Sequence, residues 1–172
     1  MLTLLTPRLA LEPLLVAHAD ALYPLLCDPR QLEYLDDGPP ASLEALRERY
    51  RLLESRRSAD GREHWLNWAL LLRGGDGGAI GFVQATVQED QRAWVAYQVA
   101  TARWGQGLAT ESTRAMVEHL IAHYGVTQCL ATVDKRNQRS WRLLDRLGFS
   151  RADATQATAL DVQGSDWLYL RS

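Results

Sequence analysis

Residues 93–124 constrain this chain more than any other segment. An apolar run over 93–99 leads into Arg103-Trp-Gly-Gln-Gly-Leu-Ala-Thr-Glu111. Residues 109–124 then continue with helical spacing, since Thr113, Met116, Val117, Leu120, Ile121 and Tyr124 fall on one stripe. A strand, a glycine-bearing loop and a helix start, in that order, gather several backbone N–H groups around one point. The first N–H groups of a helix lack internal partners and its dipole favours negative charge, so the loop reads as an anion cradle suited to phosphate. It lacks the Gly-Lys-Ser/Thr ending of a magnesium-dependent triphosphate loop. It also falls short of a dinucleotide Gly-x-Gly-x-x-Gly, because Thr110 stands three residues past Gly107. An anion is held there, and no metal is required.

The remaining segments supply a sheet and its helices. A strand is predicted over 9–13, a helix over 17–26 that stops before Asp28-Pro29, and a loop over 34–40 containing Asp36 and Asp37. Ser42 is placed to cap a charged helix over 43–57, where Glu44 and Glu48 are spaced to pair with Arg47, Arg49 and Arg51. The period then changes. Strands over 65–73, 80–87 and 93–99, joined by a glycine-rich turn at 74–78 and a turn at Asp90-Gln91, predict an antiparallel meander. Gly125 ends the long helix. A strand with few charges over 127–133 follows, then a helix over 140–147 capped by Asn137 and ended by Gly148. Residues 149–160 and 166–171 read as a closing antiparallel hairpin. This order predicts a single domain over 1–172 with a mixed α/β sheet and helices on both faces.

A chain of 172 residues buries roughly 70% of its unfolded surface and needs no disulfide or metal to fold. Its net charge of -2 gives no basic footprint, so nucleic acid is excluded as a direct partner. Cys27 and Cys129 are isolated and apolar-flanked, which reads as core. Pro7 and Arg8 interrupt the N-terminal segment, so no signal peptide is expected. No apolar stretch approaches the roughly 18 residues of a membrane span, so a cytoplasmic location is expected.

Thr6-Pro7-Arg8-Leu9 opens the chain, Trp104-Gly-Gln-Gly-Leu-Ala-Thr-Glu111 follows the third meander strand, and Asn137-Gln-Arg-Ser140 precedes Leu147-Gly148-Phe149. In this order and spacing the chain resembles the GNAT superfamily of acetyl-CoA-dependent N-acetyltransferases, in its RimJ/RimL-like branch, over residues 5–170. The resemblance implies a mostly antiparallel central sheet in which two parallel strands splay apart and admit acetyl-CoA. By position these strands are 93–99 and 127–133. The family's Gln/Arg-x-x-Gly-x-Gly/Ala pattern maps onto Trp104, Gly105, Gln106, Gly107, Leu108 and Ala109, with Trp104 at the usual Gln/Arg position. Backbone N–H groups over 105–110, with the Thr110 hydroxyl, are then the pyrophosphate donors. Gln98 and Val99 position the pantetheine arm, and a backbone N–H, that of Val99, faces the thioester oxygen. A homodimer is the assembly that branch suggests.

Acetyl transfer requires a neutral amine near the thioester carbonyl, a stabilised oxyanion and a stabilised leaving thiolate. The resemblance gives Ser140 the thiolate and Asn137 a cofactor contact. Relatives often carry a Tyr seven residues after that Asn and a Glu early in the third meander strand. Leu144 and Trp94 stand there instead. Serine is a far weaker acid than a thiol of pKa about 8.5, so hydrogen bonding is a more plausible role for Ser140 than full proton donation. Base candidates are Glu63, His64, Asp36 and Asp37, and Tyr34, His64, Trp68 and Tyr97 are candidates for the acceptor cleft. Glu111, in the first turn of the long helix, suits capping better than catalysis. Deprotonating a lysine of pKa about 10.4 at pH 7 costs about 4.6 kcal/mol, and an α-amine of pKa about 7.8 only about 1, so an α-amine is the expected acceptor. Two alternatives are a non-catalytic acyl-CoA-binding module and an antibiotic or toxin acetyltransferase.

Overall fold

His64–Leu72 (β3), Ala79–Val87 (β4) and Arg92–Val99 (β5) form the predicted antiparallel meander, with Trp68 opposite Val83 and Val83 opposite Tyr97. Their apolar side chains alternate between two buried faces. Leu66, Trp68, Leu70, Val83, Ala85, Val87, Ala93 and Val95 point to one face, where Leu108–Tyr124 (α4) covers them with Met116, Val117 and Leu120. Ala69 points to the other face, under Ala19–Leu26 (α1) and Leu43–Leu53 (α3), with Leu22, Leu25, Leu46 and Tyr50. The computed structural model describes residues 1–35, 38–75, 77–162 and 164–172. Asp36, Asp37 and Asp76, placed above in a loop and a turn, lie outside them.

Leu4–Leu5 (β1) and Leu9–Pro13 (β2) extend the sheet on one side of the meander. Gln128–Asp134 (β6), Ser150–Arg151 (β7) and Asp166–Arg171 (β8) extend it on the other. The strand order is β1-β2-β3-β4-β5-β6-β8-β7. Strand β6 runs parallel to β5, from Arg92 opposite Gln128 to Trp94 opposite Leu130, where the pairing stops. Each strand continues with its antiparallel neighbour, β5 to Val99 opposite Gly81 and β6 to Asp134 opposite Asp166. The parallel pair therefore opens into a wedge, as the resemblance implied.

Several expectations need correction. Residues 149–160 do not form a strand: Ser150–Arg151 pair with β8 and Ala154–Ala159 coil into a helix (α6). Asp153 and Gln156 form a reciprocal capping box there, a signal present in the sequence. Pro29–Leu32 forms a one-turn helix (α2) where none was predicted, with Asp28 as cap and Pro29 in the first turn. Helix α3 stops at Leu53, not 57, because Arg56 turns to a positive φ and Arg57 bridges to His64. Cys129 is buried, with its thiol pushed up to about 11 by desolvation, whereas Cys27 is half-buried. His119 of α4 is buried and packs edge-on against Trp68 with 5.8 Å between centroids.

Gly81 sits where the meander must close tightly. A Cβ there would lie 2.3 Å from the Gln98 carbonyl oxygen and 2.9 Å from the Val99 Cα, so β4 and the end of β5 approach as only glycine allows. Gly81→Ala should cost about 1–3 kcal/mol, read as a lower urea midpoint. A second expectation concerns pH. Burial, and then the neighbouring His123, hold His119 below its ordinary value of 6.5. The unfolded chain therefore takes the proton first, and stability should fall as pH drops below about 6.5. Urea midpoints measured across that window should show less slope in His119→Gln.

Candidate active site

The wedge exposes backbone that a sheet would normally use. Ala100 N–H bonds the Ile80 carbonyl and Gln88 N–H bonds the Arg92 carbonyl, both at 2.8 Å. Alternate residues of an antiparallel strand turn to the same neighbour, so even-numbered residues of β5 serve β4. Tyr97 and Val99 then direct their N–H and C=O groups into the wedge. The main chain of Gln98 belongs to the β4 ladder instead, although Gln98 lines the cleft and its buried Oε1 has no hydrogen-bond partner among the described residues. The Val99 carbonyl is already satisfied. It accepts from Gln31 Nε2 of α2 at 2.7 Å and from Trp104 Nε1 at 2.8 Å.

Trp104 thus uses its side chain to tie the glycine loop to the strand end. The Arg139 guanidinium carbon lies 3.5 Å from the centroid of its ring. Past Trp104, Gly105 and Gly107 take φ of +77° and +76°, and Gly107 is the left-handed N-cap of α4. Two left-handed positions around Gln106 turn the chain sharply into the helix, a conformation that favours glycine. Leu108 is buried beneath the loop and anchors it to the core. Gly105, Gly107, Leu108, Ala109 and Thr110 line a groove of about 890 Å³, which also receives Arg103, Arg114, Arg139 and Arg146. Among the described residues, none of these four arginines has a carboxylate within ion-pair distance. The groove therefore joins a helix start to a surplus of positive charge, four arginines against Glu111 and Glu118.

The loop is held from behind by the start of the chain. Glu111 accepts from the Thr6 hydroxyl at 2.6 Å, the Arg8 N–H at 2.9 Å and Arg8 Nε at 2.6 Å, and Arg8 Nη1 donates to the Gln106 carbonyl at 2.8 Å. Glu111 therefore braces Thr6 and Arg8 across the fold as well as standing in the first turn of α4.

The groove adjoins a cleft of about 560 Å³ inside the wedge, and Val99, Trp104, Ala109, Arg139 and Leu143 line both. Gln138–Arg146 (α5) closes one wall. Asn137 Oδ1 accepts the Ser140 N–H at 3.1 Å and caps this helix. Ser140 Oγ lies 2.8 Å from the Tyr97 hydroxyl. Tyr34 also lines the cleft, with the Arg136 guanidinium carbon 5.7 Å from its ring centroid. Two carboxylates unnoticed in the sequence also line the cleft, Asp134 and Asp166, which face each other across β6 and β8. The Arg136 guanidinium and N–H hold the Asp134 carboxyl down to about 2. No cation lies within ion-pair distance of Asp166 among the described residues.

The structure thus brings Ser140, Asn137, Tyr97, Tyr34, Gln98, Val99 and Trp104 to one cleft, with the loop beside it. Trp68 and His64 lie elsewhere. Trp68 is fully buried and donates its Nε1–H to the Leu2 carbonyl, and His64 packs edge-on against Tyr124 on the same face. Glu63 accepts from Trp65 Nε1 beside a separate hollow. The sequence carried no sign of Asp166, because register across β6 and β8 is a tertiary property.

Burial raises the Glu111 carboxyl, but the Thr6 hydroxyl and the Arg8 N–H and guanidinium outweigh it and hold the group below its ordinary 4.5. Its contribution to stability is present above about pH 4.5 and lost as pH falls through the lowered value. Glu111→Gln should destabilise the chain by about 1–2 kcal/mol at neutral pH and flatten the acid limb of a thermal-melt series.

Comparison with known proteins agrees with this geometry. Residues 8–150 match the acetyltransferase (GNAT) domain family. The chain is 26% identical over 153 residues to an uncharacterized N-acetyltransferase, p20, of Bacillus licheniformis, covering 88% of this chain and 84% of that one. Its fold superposes on a GNAT-family acetyltransferase from Bacillus anthracis with a TM-score of 0.78 at 14% identity, over 99% of this chain and 98% of that one. It also superposes on RimL, a ribosomal L7/L12 α-N-protein acetyltransferase solved in complex with coenzyme A. There the TM-score is 0.77 at 21% identity, over 96% and 94% of the two chains. With residues 8–150 matched, this chain belongs to the GNAT acetyltransferase family.

Proposed function

We propose that this protein is an N-acetyltransferase, a single domain over residues 1–172 of the RimJ/RimL-like kind, that moves an acetyl group from acetyl-CoA to an α-amine in a ternary complex. The observation that carries the reading is the continuity of the wedge with the arginine-rimmed groove. A ligand with an anionic diphosphate at one end and an extended amide-bearing arm at the other fits that path. The N–H groups over 105–110 and the Thr110 hydroxyl receive the diphosphate, and Arg103, Arg114, Arg139 and Arg146 offset its charge. The Tyr97 and Val99 main chains supply strand-like partners for the arm. When bound, acetyl-CoA would supply an acetyl group activated as a thioester.

The resemblance pointed to the Val99 N–H as oxyanion donor. Tyr97 also directs its N–H into the wedge, two residues deeper, while its phenol meets Ser140, and we assign the oxyanion to the Tyr97 N–H, with Val99 nearer the loop holding the arm. Ser140 hydrogen-bonds the departing sulfur, and Asn137 sets the turn that presents it. As the amine attacks, a C–N bond forms and the C–S bond breaks, and the amine proton leaves toward Asp166 and solvent. Freeing an α-amine of its proton at pH 7 costs about 1 kcal/mol against about 4.6 for a lysine, so a low-pKa α-amine is the acceptor that this cleft can serve. The Tyr34–Arg136 wall bounds the acceptor side.

Calorimetry with CoA and acetyl-CoA, followed by thiol-release assays on α-amine and lysine-amine peptides, tests the reading. Micromolar binding and faster turnover of the α-amine are expected. No association at millimolar ligand would defeat the acetyl-CoA assignment, and a clear lysine preference would defeat the acceptor assignment.

A further inference from the structure

Tyr97 reaches from β5 to α5, where its hydroxyl lies 2.8 Å from Ser140 Oγ and 3.2 Å from the Ser140 carbonyl oxygen. Desolvation pushes this phenol up to about 12, with the Ser140 bond opposing the shift, so it keeps its proton at working pH. That one proton has two acceptors within reach. If it goes to the carbonyl, the serine hydroxyl donates to the phenol oxygen and has nothing left for the cleft. If it goes to Oγ, the nearer atom, the serine proton is free to turn outward. Leu144, one helical turn further along α5 and also lining the cleft, offers no hydroxyl of its own.

We propose that Tyr97 is a positioning residue for Ser140: its phenol donates to Ser140 Oγ and thereby directs the serine hydroxyl proton at the sulfur leaving the thioester. The inference rests on the role given to Ser140 above. The electron pair of the breaking C–S bond passes to sulfur, and Ser140 keeps its proton and offers only a hydrogen bond. No proton moves along the pair, which suits two hydroxyls that are both weaker acids than a thiol. Negative charge developing on sulfur favours the outward arrangement of the serine hydroxyl more than the uncharged thioester sulfur does.

The test compares wild type, Tyr97→Phe, Ser140→Ala and the double variant. Tyr97→Phe should lower kcat about tenfold with KM for acetyl-CoA little changed, as expected when one aligned hydrogen bond to a developing charge is lost. The double variant should be no slower than Ser140→Ala, because the phenol then has nothing to orient. The same cycle can be read without turnover, by following the ultraviolet thiolate absorbance of bound CoA against pH. Wild type should hold that thiol below the value for free CoA, each single variant should raise it, and the double variant should raise it no further. Tyr97→Met, which fills similar volume without a hydroxyl, carries the same expectation if the phenylalanine variant folds poorly. A further tenfold loss on adding Tyr97→Phe to Ser140→Ala, or a loss confined to KM, overturns the role of Tyr97. A Ser140→Ala enzyme with wild-type kcat and an unshifted bound thiol overturns instead the role of Ser140.

Discussion

The parting of β5 from β6 after Trp94 and Leu130 is the constraint on which the rest of this structure depends. Interior backbone N–H and C=O groups must find partners, and a parallel pair that opens in mid-sheet leaves several of them facing a gap. The fold answers at one of these groups with side chains of its own. Gln31 and Trp104 both donate to the Val99 carbonyl, so the strand end is fixed without a neighbouring strand. The N–H groups of Tyr97 and Val99 remain directed into a cleft of about 560 Å³. Gly81 contributes from the other side, since the absence of a side chain lets β4 lie close against the end of β5.

Charge is distributed along the same path. Beside the glycine loop, four arginines line a groove without carboxylate partners among the described residues, and α4 adds its unpaired N–H groups and dipole. Deeper in, Asp134 is tied to Arg136 and Asp166 stands without a cation among the described residues. The outer end thus carries the larger share of positive charge, and Asp166 stands at the inner one. Thr6, Arg8 and Glu111 hold the loop from behind through contacts that span about one hundred positions of chain, so loop geometry is set by the fold before any ligand arrives.

Much of the architecture was legible because local patterns were strong. The alternating strands of the meander, the stripe on α4, the glycine loop and the Asn137 cap all appear where their residue types demand. Where reading failed, a local signal was weak or overruled. Residues 154–159 carry an Asp-x-x-Gln capping box but lack a strong apolar stripe, and the four residues of α2 are too few to show a period. Trp68 and His64 looked available for a cleft because aromatic residues on strands do not reveal which face they occupy. Register placed both beneath α4, with Trp68 at 0% exposure.

The sequence by itself determined the loop, its two left-handed glycines and the helix that follows, because φ above zero and unpaired first-turn N–H groups are properties of a few consecutive residues. It also determined that Ser140 would stand in the first turn of a helix capped by Asn137. Tertiary structure alone decided that Tyr97 would meet Ser140, that Trp104 and Gln31 would share the Val99 carbonyl, and that Asp166 would join the cleft. Those contacts join residues 5 to 68 positions apart, and they depend on strand register, on the face to which each side chain turns, and on where the parallel pair opens. No short-range pattern encodes these three quantities.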